Sequence, residues 1–423
     1  MLPPSLWAQT AIAPAPTPQL MESTSVDVAI VGAGYTGLST ALHLAEAGAK
    51  VCVLDTNEPG WGASGRNGGQ VIPGLKHDPE ELLRRYGVER GERLIKIAGS
   101  AADVVFDLIH RHDIECQPVR KGWIQPAHST TALALIQRRA DSWAKTGAKV
   151  EMLDRAAVAE RVGSHGFAGG WVDHRAGGIQ PLSYTRGLAK AAKKAGASIH
   201  GHTEVTGLRR DGGTWTLRTS AGAEVRAERV LIATNGYSGD LWPGLRQTVI
   251  AANSFIVATE PLAGAAADTI LPRGEVCSNS KRLLLYFRRD AEGRLLIGGR
   301  GPFRDPREPN DFSHLERALN LMFPQLGQPR IAYRWAGRVA ITRDFMPHVH
   351  EPAPGLTIAL GYNGRGIAMA TVMGRLLSER MQGATDAQFG FPVGTISPIP
   401  LHGLQRFYIA AGVRYYSMLD ALG

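Results

Sequence analysis

Gly32, Gly34 and Gly37 stand in the spacing G-x-G-x-x-G, and an acid, Asp55, closes the next apolar run. Gly32 permits a tight strand-to-helix turn. Gly34 leaves room for a pyrophosphate against the backbone, and Gly37 lets the following helix pack close to a sheet. The N–H groups that open that helix, at Tyr35 and Thr36, would face phosphates, with the helix dipole adding to the attraction. Asp55, with Thr56 beside it, can accept hydrogen bonds from both ribose hydroxyls of an adenosine and would repel a 2′-phosphate. The chemistry is binding of a dinucleotide that carries no such phosphate. A second group of residues continues the site in the loop TNEPGWGASGRNGGQ. Gly62, Ala63, Gly68, Gly69 and Gln70 bring backbone close to a ligand. Ser64, Arg66 and Asn67 can hydrogen-bond phosphate or ring heteroatoms.

The elements that must position these residues follow from pattern. Residues 28–31 form a short apolar strand, and a helix runs through Leu38, Leu42, Leu44 and Ala45 to stop at Gly48. A second strand at 50–54 delivers Asp55. Strand, turn, helix, strand and terminal acid occur in the order that a dinucleotide-binding βαβ unit requires.

The chain has 423 residues and a net charge of +9. That length accommodates two sizeable cores. The basic residues are dispersed rather than clustered, so they imply a solvated surface that attracts an anionic cofactor, not nucleic acid. No apolar run is long enough to span a membrane. The opening segment, with Pro14, Pro16 and Pro18, lacks a basic start and reads as an extended arm over 1–21, anchored by Trp7 rather than a signal peptide. Cys52, Cys116 and Cys277 have neither metal nor disulfide spacing, which points to a reduced, cytoplasmic protein without a metal.

Further along, helical spacing covers 79–113 and 131–146, with a short strand at 121–126. Pro181 opens a helix that ends before Gly196, and a strand follows at 198–200. A hairpin turns at Ala221-Gly222. A buried strand at 230–233 ends in Ala233, Thr234, Asn235 and Gly236, a small-residue strand end suited to a second cofactor contact. Strands at 283–288 and 294–298 make a hairpin with a D-x-x-G turn. Alternation puts Tyr286 and Arg288 on one face and Phe287 and Arg289 on the other, and either pair could line a substrate pocket. Near the end, a strand at 356–360 leads into GYNGRGIAM, a glycine-rich turn and a helix. The final helix mixes Leu404, Ile409, Val413 and Leu419 with Tyr408, Tyr415 and Tyr416. It is expected to dock on its own domain, with a partner or membrane-surface role as the alternative.

The run VAIVGAGYTGLSTALHLAEAG, its LD ending and the loop GASGRNGGQ together resemble the FAD-dependent D-amino-acid oxidase superfamily. Within it they are similar to the glycine/sarcosine-oxidase-like branch that includes γ-glutamylputrescine oxidases. The segment RWAGRVAITRDFMP resembles that family's W-x-G-x-x-x-x-T-x-D-x-x-P. The resemblance implies FAD rather than NAD, with the loop reaching from pyrophosphate towards the isoalloxazine. It implies a backbone contact to the adenine end at Val205. It also implies a flavin edge formed by Gly337, Gly361, Asn363, Gly364, Arg365, Gly366 and Ile367, where a helix N-terminus favours anionic reduced flavin. Departures matter too. Arg66 stands where some relatives bond a histidine to flavin, and Gly337 where sarcosine oxidases use a cysteine, so noncovalent FAD is expected. The lysine that relatives carry early in the last helix of the cofactor domain is Ala368. The arginine with which glycine oxidases clamp a carboxylate is Val339, with Arg338 beside it.

The expected fold is α+β: a discontinuous Rossmann-like FAD-binding domain over 22–80, 150–245 and 330–385. An antiparallel-sheet substrate domain covers 81–149 and 246–329, and a tail covers 386–423. The expected reaction is oxidation of an amine C–N bond by hydride transfer to flavin N5, then imine hydrolysis. The substrate-pocket candidates are Tyr286, Arg288 and Arg338, and no acid–base constellation is apparent. A γ-glutamylputrescine-like polyamine derivative is the favoured substrate, and oxygen or another acceptor takes the electrons. A secondary or cyclic amino acid, a non-catalytic flavin-binding subunit and an NAD-dependent dehydrogenase remain as alternatives.

Overall fold

The computed structural model describes residues 2–422, without the side chains at 414, 416, 417 and 419–422. Expectations for Tyr416 and Leu419 therefore lie outside the described residues. Two sheets organise the chain. The first centres on the parallel strands Leu356–Leu360, Glu224–Ile232, Thr24–Val31, Val51–Leu54 and Ser198–His200, hydrogen-bonded in that order. At their inner ends, 28–31, 51–54 and 230–232, its strands are apolar on both sides because both sides are covered. Val28, Ile30, Val51 and Val53 enter one core, whereas Ala29, Val31, Cys52 and Leu54 enter a second core across the sheet. The helix Tyr35–Glu46 lies between Thr24–Val31 and Val51–Leu54 in the chain, completing the expected βαβ unit.

Gly37 is required by contact. A Cβ there would sit 1.9 Å from the Gly32 carbonyl oxygen. Gly32 itself has φ +109°, a conformation open to glycine, and a Cβ would press on the Ala233 carbonyl. The helix Gly366–Met381 packs against Tyr35–Glu46 through Gly374, where a Cβ would meet that of Ser39 at 2.5 Å.

The second sheet has eight strands and is antiparallel except where Val276–Ser278 pairs with Trp123–Ala127. Its long members are Val249–Pro261 and Ile331–Thr342, paired along most of their lengths. Several boundaries differ from the sequence expectation. Val150–Leu153 and Gly169–Asp173 belong to this second sheet, although 150–245 reads from sequence as cofactor domain. Ile331–Thr342 also pairs here rather than in the first sheet. Strand type is legible locally, but the sheet a strand joins is set by distant partners. The expected strand at 283–288 is shorter, Tyr286–Arg289, because the Asn279 side chain accepts the Leu285 N–H at 3.0 Å and ties that segment into a turn. The strand expected at 230–233 begins earlier, directly after the hairpin turn, as Glu224–Ile232. The arm is not wholly extended: Leu6–Thr10 is a short helix capped by Ser5, with Trp7 buried as its anchor. In the final helix, Gln405–Leu422, Tyr408, Ile409 and Val413 line the cavity described below, while Phe407, Tyr415 and Met418 are exposed.

Candidate active site

One cavity of about 1420 Å³ runs from the first glycine-rich turn to the second sheet. It exceeds the range of roughly 300–1,000 Å³ usual for small-ligand sites, as a dinucleotide plus a substrate requires. Gly32, Gly34, Tyr35, Thr36, Asp55 and Thr56 line one part, with Val205 and the strand end Ala233, Thr234 and Asn235. The loop lines it through Gly62, Ala63, Ser64, Arg66, Asn67, Gly68 and Gln70. Gly337, Arg338, Asn363, Gly364, Arg365, Gly366 and Ile367 line it from the far side. The fold thus gathers most of the residues singled out by type and spacing.

Asp55 sits at the end of its strand and already holds the turn. The Ala33 N–H donates to Oδ2 at 2.7 Å and the Asn57 N–H to Oδ1 at 2.9 Å. Burial raises its pKa against the pull of those two donors. Each carboxylate oxygen keeps a lone pair for a ribose hydroxyl. At the helix N-terminus the Tyr35 N–H donates to the Ser64 hydroxyl at 3.1 Å, so the loop is docked on the turn.

The loop is held from beneath by two indoles. The Trp7 N–H donates to the Asn67 carbonyl at 2.7 Å, and the Trp335 N–H to the Arg66 carbonyl at 2.9 Å. The two rings meet edge to face, with centroids 5.8 Å apart. Asn67 braces the loop internally, donating to the Tyr35 hydroxyl and to the carbonyls of Ala63 and Ser64. The Gln70 amide donates to the Cys277 and Phe287 carbonyls. These two side chains are scaffold rather than free ligand donors, which only the tertiary contacts reveal. Arg66 differs. Its Nε donates to the Trp61 carbonyl at 2.7 Å and its guanidinium lies 4.1 Å from the Trp61 ring centroid. Its Nη2, however, is buried without a partner, and burial lowers its pKa. An orphaned guanidinium nitrogen lining the cavity fits an anionic or acceptor-rich occupant such as FAD.

Five expected residues do not line the cavity. Gly37, Gly69, Gly236 and Gly361 act one layer behind it. Gly361 (φ +83°) would drive a Cβ into Thr342, and its N–H donates to the Asn235 side chain. Arg288 is the main correction. It shares a face with Tyr286 as alternation requires, but its Nη1 donates to the Gly69 and Ile179 carbonyls at 2.7 Å each. Burial pulls its pKa down to about 10. It is a clamp on the loop, not a substrate contact. Tyr286 does line the cavity, packed over Gly68, with its hydroxyl 2.8 Å from that of Ser254. Arg338 lines it too, 3.5 Å from the Asp305 carboxylate. Asn363 is spent on structure: its oxygen accepts the Thr342 N–H and its nitrogen donates to the Gly361 carbonyl.

Sequence reading missed Lys76, Arg139, Trp123 and Gln125, which also line the cavity. They carry no motif, and they meet only because the second sheet closes over the turn that precedes Gly366. Among the described residues no cluster of His, Cys, Asp or Glu could hold a metal.

A βαβ dinucleotide turn, a glycine-rich loop and a second sheet closing one cavity define a flavin-dependent oxidoreductase of the amine-oxidising kind. Residues 27–380 match the family model of FAD dependent oxidoreductases (DAO), and the chain belongs to that family. Gamma-glutamylputrescine oxidoreductase of Escherichia coli K12 is 33% identical over 99% of this chain and 98% of its own. A probable oxidoreductase, OrdL, of Haemophilus influenzae is also 33% identical, over 95% of this chain and 94% of its own. The crystal structure of glycine oxidase from Geobacillus kaustophilus superposes with a TM-score of 0.73 at 22% identity, covering 88% of this chain and 98% of that one. That likeness shows the shared fold. The protein is an FAD-dependent oxidoreductase that acts on amines.

Proposed function

We propose that the chain oxidises the C–N bond of a polyamine derivative of the γ-glutamylputrescine type. The observation that carries this reading is likeness to the Escherichia coli enzyme along nearly the whole chain, joined to a cavity with room for a substrate beyond the cofactor. FAD would rest on the Gly32–Gly34 turn and the N-terminus of Tyr35–Glu46, with Asp55 at the ribose. Arg66 and the turn at Gly364–Ile367 would meet its other end. Bound there, the flavin supplies the acceptor for a hydride. The rest falls to the chain's side chains. Tyr286, Ser254 and Arg338 would line the substrate end. Among the described residues, the acids that line the cavity, Asp55, Glu204 and Asp240, come from the strand ends of the first sheet and the segment that follows them, and none comes from the second sheet. The second sheet therefore offers no carboxylate to hold an ammonium, which favours a neutral amine as the reacting form.

The test is the visible spectrum of the purified protein before and after anaerobic addition of γ-glutamylputrescine. Bleaching of the flavin band is expected. A flavin that stays oxidised with this amine, but bleaches with sarcosine, proline or glycine, moves the substrate to a secondary, cyclic or small amino acid.

A further inference from the structure

Lys76, in the loop before the helix Pro79–Gly99, lines the cavity. Among the described residues nothing hydrogen-bonds or ion-pairs with its ammonium. Arg365 stands at the N-cap of Gly366–Met381, with its guanidinium 4.8 Å from the Trp123 ring centroid. Among the described residues no side chain accepts from it, and its Nε is buried without a partner. Arg139 is different, because Asp78 takes its Nε at 2.8 Å and so balances its charge. Arg139 also fixes Gln125. The Gln125 side-chain oxygen accepts from Arg139 at 3.1 Å and from the Trp171 indole at 3.2 Å. With its oxygen held by two donors, the Gln125 amide has only its NH₂ left to offer. The remaining nearby acid, Asp173, is paired with Arg175 at 2.6 Å.

The three side chains therefore present donors only, two of them unpaired cations that repel each other. Arg365 is the strongest charge acting on Lys76, ahead of Arg139. Like charges lining one cavity repel each other unless an anion joins them. A stacked, planar guanidinium beside an ammonium and an amide matches a carboxylate. We propose that Lys76, Arg365 and Gln125 form a subsite for a carboxylate carried by the amine substrate, apart from the nitrogen that is oxidised. This rests on the amine-oxidising function above. It makes the substrate an acidic N-acyl amine, and it makes Lys76 a specificity residue.

Two amines of equal length separate the possibilities: N-glutarylputrescine, which ends in a carboxylate, and N-pentanoylputrescine, which does not. The wild-type flavin should be bleached by the first with kcat/KM about 10- to 100-fold higher than by the second. That preference should collapse in Lys76→Met and Arg365→Met and be partly restored in Lys76→Arg. Equal use of both amines by the wild type would overturn the subsite. So would a preference that survives in flavin-loaded Lys76→Met. Calorimetry on the oxidised holoprotein gives a second readout with redox-inert probes, N-butylglutaramic acid against N-butylpentanamide. If neither amine bleaches the flavin, the polyamine reading fails. The calorimetric preference for the acid, present or absent, still decides the subsite.

Discussion

Lys76 shows how one residue's surroundings set its chemistry. It is accessible through the cavity it lines, yet protein encloses it closely enough that desolvation, then the charges of Arg365 and Arg139, pull its pKa down to about 7. A bound carboxylate favours the protonated form, so the complex holds a proton that the free site starts to lose near neutrality. Affinity for N-butylglutaramic acid should therefore fall as pH rises from about 7, by up to about tenfold per pH unit. The charges that act on the ammonium are Arg365 and Arg139, and Arg365 in turn feels Asp173 and Asp78. Calorimetry across that range checks it, and Lys76→Met should flatten the dependence. At this scale the sequence was a partial guide. Asp55 is legible because it ends a strand after a glycine turn, whereas Lys76 has no periodicity or spacing that marks it.

At the scale of elements, the glycine-rich loop at 56–70 has no regular secondary structure beyond the short turn Ala63–Gly65 and the start of the strand Gln70–Val71, and its shape is imposed by neighbours. Trp7 from the N-terminal helix and Trp335 from the long strand of the second sheet donate to consecutive loop carbonyls. Arg288 seizes a third carbonyl, at Gly69. A loop fixed this way keeps Arg66 aimed into the cavity without an ordering cost when ligand arrives. Trp7→Phe retains the buried ring but strips the Asn67 carbonyl of its donor. It should lower stability by about 1–2 kcal/mol in denaturant titration and weaken FAD binding several-fold in fluorescence titration. Unchanged FAD affinity in a destabilised variant would restrict Trp7 to a packing role. The anchor itself was readable as a lone large aromatic in a proline-rich arm. Its short helix was not, because five residues carry too little periodicity.

For the whole molecule, both sheets close on one cavity, whose lining is drawn from residues between 31 and 413. Ligand binding is then linked to global folding. Stripping FAD should lower the melting temperature by on the order of 5–10 °C, and adding FAD back should restore it, as followed by scanning calorimetry. A melting temperature indifferent to FAD would mean that the two sheets hold together without it. No helix among the described residues is long and apolar enough to cross a membrane.

The sequence by itself determined the parts whose rules are local. Gly32, Gly34, Gly37 and Asp55 encode the dinucleotide unit, since a turn, a close approach and a strand end each demand a particular residue type within a few positions. Resemblance over the same residues reached the family. Only the tertiary structure decided which strands join which sheet, because Val150–Leu153 and Ile331–Thr342 are equally good strands in either and choose by distant partners. It decided too that Arg288 is a clamp while Tyr286 faces the cavity. Alternation assigns a face to a side chain, but what lies opposite that face depends on residues more than a hundred positions away. The meeting of Lys76, Gln125 and Arg365 has the same origin. Three donors from three separate elements share a cavity wall only once both sheets have closed.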